Sequence, residues 1–353
     1  MSFQLTIEPL GETIEVEEDQ KMLDACLRAG IWLPYACNHG LCGTCKVQVV
    51  EGEVEHNEAS QFALMDMERA DGRCLACSAT LQSDVVIEAD IDDDPDALNC
   101  PMEEYIGTVA RIEDLTPTIK GVFIDLESAI QFQAGQYVNL TVPEVDGPRA
   151  FSIANSPVDG TTIELNVRFV EGGAATTYIH EQLAVNDRLE LTAPMGRFFV
   201  HKSAPEPMLF LAGGSGLSSP KSMILDLFST GEEREITLIY GARHRGELYY
   251  VELFEELADV YSNFKYIPAL SDPRPGDDWT GETGFVHDVA NELFAGRFAG
   301  HNAYLCGPPP MVDACITTLM QGRLFENHIF MESFLTAADG AEPARRSALF
   351  KKF

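Results

Sequence analysis

Three cysteines, Cys37, Cys42 and Cys45, fall within nine residues of the stretch ACNHGLCGTCK (36–46), with Gly40 and Gly43 between them. A C-x4-C-x2-C run with a distant fourth cysteine fits ligation of a [2Fe–2S] cluster, in which four thiolates hold two irons. A loop wrapped around an anionic cluster must turn tightly and aim backbone N–H groups at sulfur, which suits glycine. A zinc site is the rival. Structural zinc takes paired cysteine knuckles, and Cys74 and Cys77 are also separated by two residues. Spacing leaves the fourth ligand open, because 28 residues lie between Cys45 and Cys74 and 31 between Cys45 and Cys77. Cys26 and Cys100 read as bystanders, since a lone cysteine usually behaves as a small hydrophobe.

Five further stretches carry candidate chemistry. RAFSIANSP (149–157) resembles the R-x-[YF]-S signature of the ferredoxin–NADP reductase superfamily. The resemblance implies a flavin site. Arg149 forks onto a pyrophosphate, Ala150 and Phe151 lie against the ring system, and Ser152 hydrogen-bonds its redox nitrogen. Phenylalanine stands where the family often has tyrosine, so packing is kept and a hydroxyl contact is lost. EGGAATTYIHE follows and resembles the family's G-G-x-x-[ST] turn. Gly172, Gly173, Ala175 and Thr176 then sit at a helix N-terminus, where phosphate is favoured, and Val167 lines the same site. LFLAGGSGLSSP places Gly213, Gly214, Ser215 and Gly216 between a strand and a helix, as a nucleotide site requires. YLCGPPPM resembles the family's C-G-x-x-x-M, so Cys306, Gly307 and Pro308 are expected beside the nicotinamide. IFMESF resembles the terminal strand, with Glu332 and Phe334 near the stacked rings. The resemblance thus makes Ser152, Cys306 and Glu332 the catalytic group. The ferredoxin-like context LAC likewise favours Cys77 as the fourth cluster ligand.

The elements that must position these residues follow from periodicity. Phe3, Leu5 and Ile7 alternate, as do Ile14 and Val16 beyond an LGE turn, which predicts a hairpin. Asp19 is the expected N-cap of a short helix bearing Leu23, Cys26 and Leu27 and closed by Gly30. A strand KVQVVEGEV, a helical stretch near Phe62–Met67 and a strand DVVIEAD complete a β-grasp pattern. The acidic run DIDDDPDALN (90–99) reads as a linker. Short strands punctuated by glycine and proline predict an antiparallel Greek-key β-barrel, interrupted by a helix from about Thr177. From about 207, apolar strands alternate with amphipathic helices, which predicts an α/β doubly wound parallel sheet. The expected organisation is a ferredoxin-type domain over residues 1–93 and a linker over 94–101. A flavin barrel over 102–203, a nucleotide domain over 204–335 and a basic tail over 336–353 follow.

Composition narrows the function. The 353 residues carry 56 acidic against 24 basic side chains, a net charge of −32. Residues 1–98 alone hold 21 Asp and Glu against 5 Lys and Arg. Such a surface repels nucleic acid and anionic membrane and favours a partner with a basic docking face. No apolar run approaches the ~18 residues of a membrane span, and the N-terminus lacks a secretory-signal layout. Nine irregularly spaced cysteines suit reduced thiols and metal ligands in the cytoplasm. Nothing demands more than a monomer.

The order of ferredoxin, flavin barrel and nucleotide domain resembles the reductase components of bacterial multicomponent oxygenases. Strings from end to end, among them EASQFALMD, FQAGQYVNL, VEGGAAT, GGSGLSSP, YLCGPPPM, TTLMQGRLFE and TAADGA, are similar to the phenol hydroxylase reductases. The resemblance implies an oxidoreductase that passes electrons from NADH through FAD and [2Fe–2S] to the di-iron oxygenase component of a phenol 2-monooxygenase. GARHR (241–245) would suit the extra phosphate of NADPH. The resemblance argues for NADH, and Glu247 would disfavour that phosphate. Two alternatives remain: the reductase of a ring-hydroxylating dioxygenase, and a non-catalytic zinc-bearing interaction protein.

Overall fold

A computed structural model describes residues 1–35, 38, 40–91 and 94–333. The chain forms two compact units, Met1–Glu103 and the remainder from Glu104.

In the first unit, β1 (Ser2–Glu8) and β2 (Glu12–Glu17) form the expected hairpin. Alternation buries Leu5 and Ile7 completely, each burial contributing about 1.5–3 kcal/mol. Helix α1 (Met22–Arg28) follows, then β3 (Lys46–Glu51), β4 (Val54–Glu55), α2 (Asp66–Ala70), β5 (Arg73–Leu75), β6 (Thr80–Leu81) and β7 (Val85–Glu88). The main sheet has the order β2-β1-β7-β3-β5, with β1 parallel to β7, and α1 lies against it in the β-grasp manner.

Two local expectations in this unit need correction. Asp19 does not cap α1; it adopts a left-handed backbone, and Lys21 stands at the N-cap without a side-chain bond. The orphan amides of the helix are met by distant carbonyls instead: Met22 N donates to Ala79 O (2.9 Å) and Leu23 N to Ala76 O (2.8 Å). Helix α2 starts at Asp66, later than expected, because the side chain of Glu68 accepts the Met65 amide at 2.9 Å and fixes the first turn there. Residues 60–64 form turns that are bonded to the cysteine loop.

The second unit opens with a barrel of β8 (Glu103–Thr116), β9 (Ile119–Leu126), β10 (Tyr137–Thr141), β11 (Arg149–Ser152), β12 (Thr162–Arg168), helix α3 (Ala174–Glu181) and β13 (Arg188–Met195). The strand order is β11-β10-β13-β8-β9-β12, and an antiparallel bridge between Ile153 and Leu165 joins the two outer strands. This is the Greek-key barrel, filled by residues such as Val109, Ile124, Val138, Ile163 and Leu191. Helix α3 begins three residues before Thr177, since the Gly172–Gly173 turn already supplies the entry geometry.

The chain then alternates through β14 (Met208–Gly213), α4 (Ser218–Ser229), β15 (Ile236–Ala242), α5 (Val251–Val260), β16 (Phe264–Leu270), β17 (Glu282–Thr283), α6 (Val286–Leu293), β18 (Asn302–Gly307), α7 (Pro309–Gln321) and β19 (Ile329–Ser333). All pairs in this sheet are parallel, in the order β17-β16-β15-β14-β18-β19. The order reverses between β14 and β18. Ligands of doubly wound sheets bind at such a switch point, beyond the carboxyl ends of the strands.

Candidate functional site

The described part of the cysteine loop is built by backbone. Ala76 N donates to Cys45 O at 2.9 Å, and the carbonyls of Ala76 and Ala79 cap α1. The turn carrying Cys77 is therefore clamped between Cys45 and a helix end. Across it the two thiols hydrogen-bond to each other. Cys77 is pushed down to about 6, chiefly by the bond from Cys45, with help from Ser78, the Gly40 amide and the charge of Lys21. Cys45 is correspondingly raised. Cys42 is exposed, with Thr44 Oγ1 3.2 Å from its sulfur. Gly40 keeps the loop close: at φ +70°, a Cβ there would sit 2.6 Å from Ser78 Oγ and 3.3 Å from Ala59 Cα.

Cys74 is elsewhere. It pairs with Val47 in the sheet register, is fully buried, and has a thiol pushed up to about 12 by burial alone. Cys74 and Cys77 thus do not make a zinc knuckle. Two thiols clamped together by the Ala76–Cys45 backbone bond, beside the close-packed Gly40 turn, are a soft donor set suited to cluster ligation, and in this respect the residues fit a [2Fe–2S] group. Cys37 lies outside the described residues. Among the described residues no three Cys, His, Asp or Glu side chains converge tightly enough to hold a single metal ion.

The flavin and nucleotide motifs meet on one carboxylate. Glu332 on β19 stands opposite Cys306 on β18 in the parallel register. Its Oε2 accepts from Ser152 Oγ of the barrel (3.0 Å) and from Ser219 Oγ of α4 (2.8 Å), and Cys306 Sγ lies 3.7 Å away. Desolvation raises the Glu332 pKa against the opposing pull of these three donors. Burial likewise raises the Cys306 thiol well above its usual range, so it stays protonated and is no nucleophile. The turn after β14 packs on the turn after β18. A Cβ on Gly216 would lie 2.3 Å from Cys306 O and 2.6 Å from Gly307 Cα, so the two backbones touch where only glycine fits. Gly213 ends β14, Gly214 and Ser215 form the turn, and Pro308 stands at the N-cap of α7.

Arg149, Ala150, Phe151 and Ser152 all lie on β11, paired with Leu140 through Tyr137 of β10. Arg149 is exposed, and its Nη1 donates to the carbonyls of Asp146, Gly147 and Pro148 at 3.0–3.1 Å. Gly172 and Gly173 lead into α3, where Ala175 is buried and Thr176 Oγ1 donates to Gly173 O at 3.1 Å. Val167 faces inward. Its side chain is in the barrel core and its carbonyl is bonded to His180 Nε2 at 2.9 Å. The neighbouring Arg168, not foreseen from sequence, is exposed with Nη1 beside Gly214, 3.6 Å from where a Cβ would stand. Phe334 lies outside the described residues.

At the end of β15 each basic group already has an acidic neighbour. Arg243 forks onto Glu247 (Nε to Oε2 3.1 Å, Nη2 to Oε1 2.7 Å). His244 Nδ1 lies 2.5 Å from Asp272 O, and Arg245 Nη1 donates to Asp277 O at 2.9 Å.

Three family models match successive parts of the chain. The family described as 2Fe-2S iron-sulfur cluster binding domain matches residues 5–82, the oxidoreductase FAD-binding domain residues 108–200, and the oxidoreductase NAD-binding domain residues 210–316. The chain is 61% identical over all of its length and all of the relative's to the phenol 2-monooxygenase reductase component DmpP of Pseudomonas sp.. It is 59% identical to the phenol hydroxylase P5 protein of Acinetobacter pittii, over 99% of each chain. The chain belongs to the phenol hydroxylase reductase components. Among solved structures, the reductase GcoB of Amycolatopsis superposes on this reductase with a TM-score of 0.83 at 32% identity, covering 94% of this chain and 98% of that one. The ferredoxin reductase in carbazole 1,9a-dioxygenase follows at 0.75 and 26%, covering 95% and 99%.

Proposed function

We propose that this chain is the NADH-dependent reductase of a multicomponent phenol hydroxylase, drawing electrons from NADH and delivering them to a di-iron oxygenase component. The observation that carries the reading is the meeting of Ser152, Ser219 and Cys306 on Glu332, which brings the flavin motif and the nicotinamide motif to one point. When bound, FAD accepts an electron pair as hydride and [2Fe–2S] carries single electrons, which matches a two-electron donor to a one-electron acceptor.

Arg149, Ala150, Phe151, Ser152 and the Gly172–Thr176 turn would hold FAD. The Gly213–Gly216 turn, Cys306, Gly307 and Pro308 would hold NADH, with Arg168 offering a cation beside the turn. Cys37, Cys42, Cys45 and Cys77 would hold the cluster. The shared carboxyl of Glu332 accepts from Ser152 and orients its hydroxyl. The Arg243–Glu247 fork leaves a 2′-phosphate facing a carboxylate, which favours NADH.

Beside the cysteine loop, Leu41 is 65% and Phe62 99% exposed. With the acidic surface of residues 1–98 they offer a partner an apolar contact inside a charged surround. No helix among the described residues is long and apolar enough to cross a membrane, and no disulfide joins the described cysteines. We read the reductase as a cytoplasmic monomer, in keeping with its relatives' role as reductase components.

The test is reconstitution. Supplied with NADH, the protein should support turnover by a phenol hydroxylase oxygenase and far less by a ring-hydroxylating dioxygenase, and the rate should change with ionic strength. Equal support for both oxygenases would overturn the assignment of partner.

A further inference from the structure

Within the second unit, barrel and parallel sheet are joined by a buried polar cluster that the hydride-transfer reading does not use. Lys221 Nζ on α4 lies 2.6 Å from Glu164 Oε2 on β12, with the two side chains only 5% and 6% exposed. Tyr250 Oη donates to the other oxygen, Glu164 Oε1, at 2.6 Å, and the Lys221 ammonium lies 4.2 Å from the centre of the Tyr250 ring. Both carboxylate oxygens are thus occupied. The Glu164 amide donates to Asn155 Oδ1 at 2.8 Å, and Asn155 O accepts from Ser222 Oγ of α4 at 2.6 Å.

Two features set this cluster apart from ordinary packing. A buried ion pair is a poor source of stability, because apolar residues of similar volume usually serve as well; its better-attested use is to fix one arrangement among several. Tyr250 also stands at the N-cap of α5 with φ 58° and ψ 26°, a left-handed conformation unfavourable to a bulky side chain. That conformation is held by the bond to Glu164 and by the charge over its ring. The adjacent Tyr249 Oη donates to Gly214 O at 3.3 Å, so one dipeptide grips both the barrel and the glycine turn.

We propose that Glu164, Lys221 and Tyr250 are positioning residues that set the register between the flavin barrel and the nucleotide sheet, and so the approach of nicotinamide to flavin. Helix α4 carries Ser219, which bonds Glu332, and two residues on it carries Lys221. A shift of α4 against β12 would therefore displace the glycine turn relative to Ser152. A misplacement of about 1 Å slows a positioned reaction by up to roughly 100-fold. The proposal rests on the reductase reading given above.

The test uses the full chain loaded with FAD and iron–sulfur. Compared are the wild type, Lys221→Met, Lys221→Arg and the apolar triple variant Glu164→Leu/Lys221→Met/Tyr250→Phe. Flavin reduction by NADH and by 4-deuterated NADH is followed by stopped flow, AMP binding by calorimetry, and unfolding by circular dichroism. The triple variant should unfold near the wild-type temperature and bind AMP with unchanged affinity. Its hydride transfer should be roughly 10- to 100-fold slower, with kcat reduced, KM little altered and a larger isotope effect on turnover. Lys221→Arg should recover most of the rate that Lys221→Met loses. Wild-type hydride transfer in a well-folded triple variant would overturn the proposal. Should the triple variant fail to fold or to keep FAD, the Arg and Met variants decide alone, and equal slowing in both would overturn it. Failure of NADH to reduce the wild-type flavin would instead overturn the reductase reading.

Discussion

At the scale of single residues, Cys77 and Cys74 differ in neighbours more than in sequence. Both stand near the spacing a fourth ligand needs. Cys77 is held beside Cys45 by a turn that caps α1, whereas Cys74 points into the core of the sheet. Cys77→Ala should abolish bound iron, measured by iron and sulfide analysis. Cys74→Ala should keep the iron and lose about 1–2 kcal/mol of stability from the small cavity. Spacing could not distinguish the two, because their surroundings differ through backbone bonds between residues some thirty positions apart. Val167 and Arg168 teach the same lesson. Adjacent strand residues face opposite ways, and which one meets the glycine turn depends on the sheet behind it. Glu332 carries a pH prediction. Its folded pKa is raised above the ordinary 4.5, so the fold holds a proton that the unfolded chain releases. Stability should therefore fall as pH rises through the window above 4.5, and stop falling past the folded value. Relative to wild type, Glu332→Gln should gain stability on going from about pH 5 to pH 8, as thermal unfolding would report.

At the scale of elements, periodicity reported the strands well. Leu5 and Ile7 alternate into the core, and the apolar runs of β14, β15 and β18 are buried on both faces as parallel strands require. Helix starts were less legible. The amides of α1 bond to carbonyls more than fifty residues away, so no local capping residue is needed and Asp19 is free to turn the chain. The glycine-rich turn was readable as a strand-to-helix turn, but not the reason Gly216 is required, which is contact with the backbone of Cys306 and Gly307. Gly216→Ala should push the two turns apart and weaken NADH binding by at least roughly 10-fold, while flavin and cluster spectra remain those of the wild type. Loss of the flavin spectrum in that variant would contradict the separate placement of the two sites.

At the scale of the whole molecule, the order of the three parts was legible because each has its own rhythm: a mixed sheet with a cysteine loop, a barrel of short strands, and alternating strands and helices. The uneven charge was legible too, since residues 1–98 carry half of the net −32. What could not be read was the seam inside the second unit, where Glu164, Lys221 and Tyr250 come from three elements and no motif announces them. The central claim is that one polypeptide converts hydride from NADH into single electrons leaving through an iron–sulfur centre. Its most direct test is anaerobic addition of NADH to fully loaded protein, followed by visible absorbance and electron paramagnetic resonance. The account predicts bleaching of the flavin together with the signal of a one-electron-reduced [2Fe–2S] cluster. Bleaching without that signal, in protein shown to carry its full iron and sulfide, would contradict it.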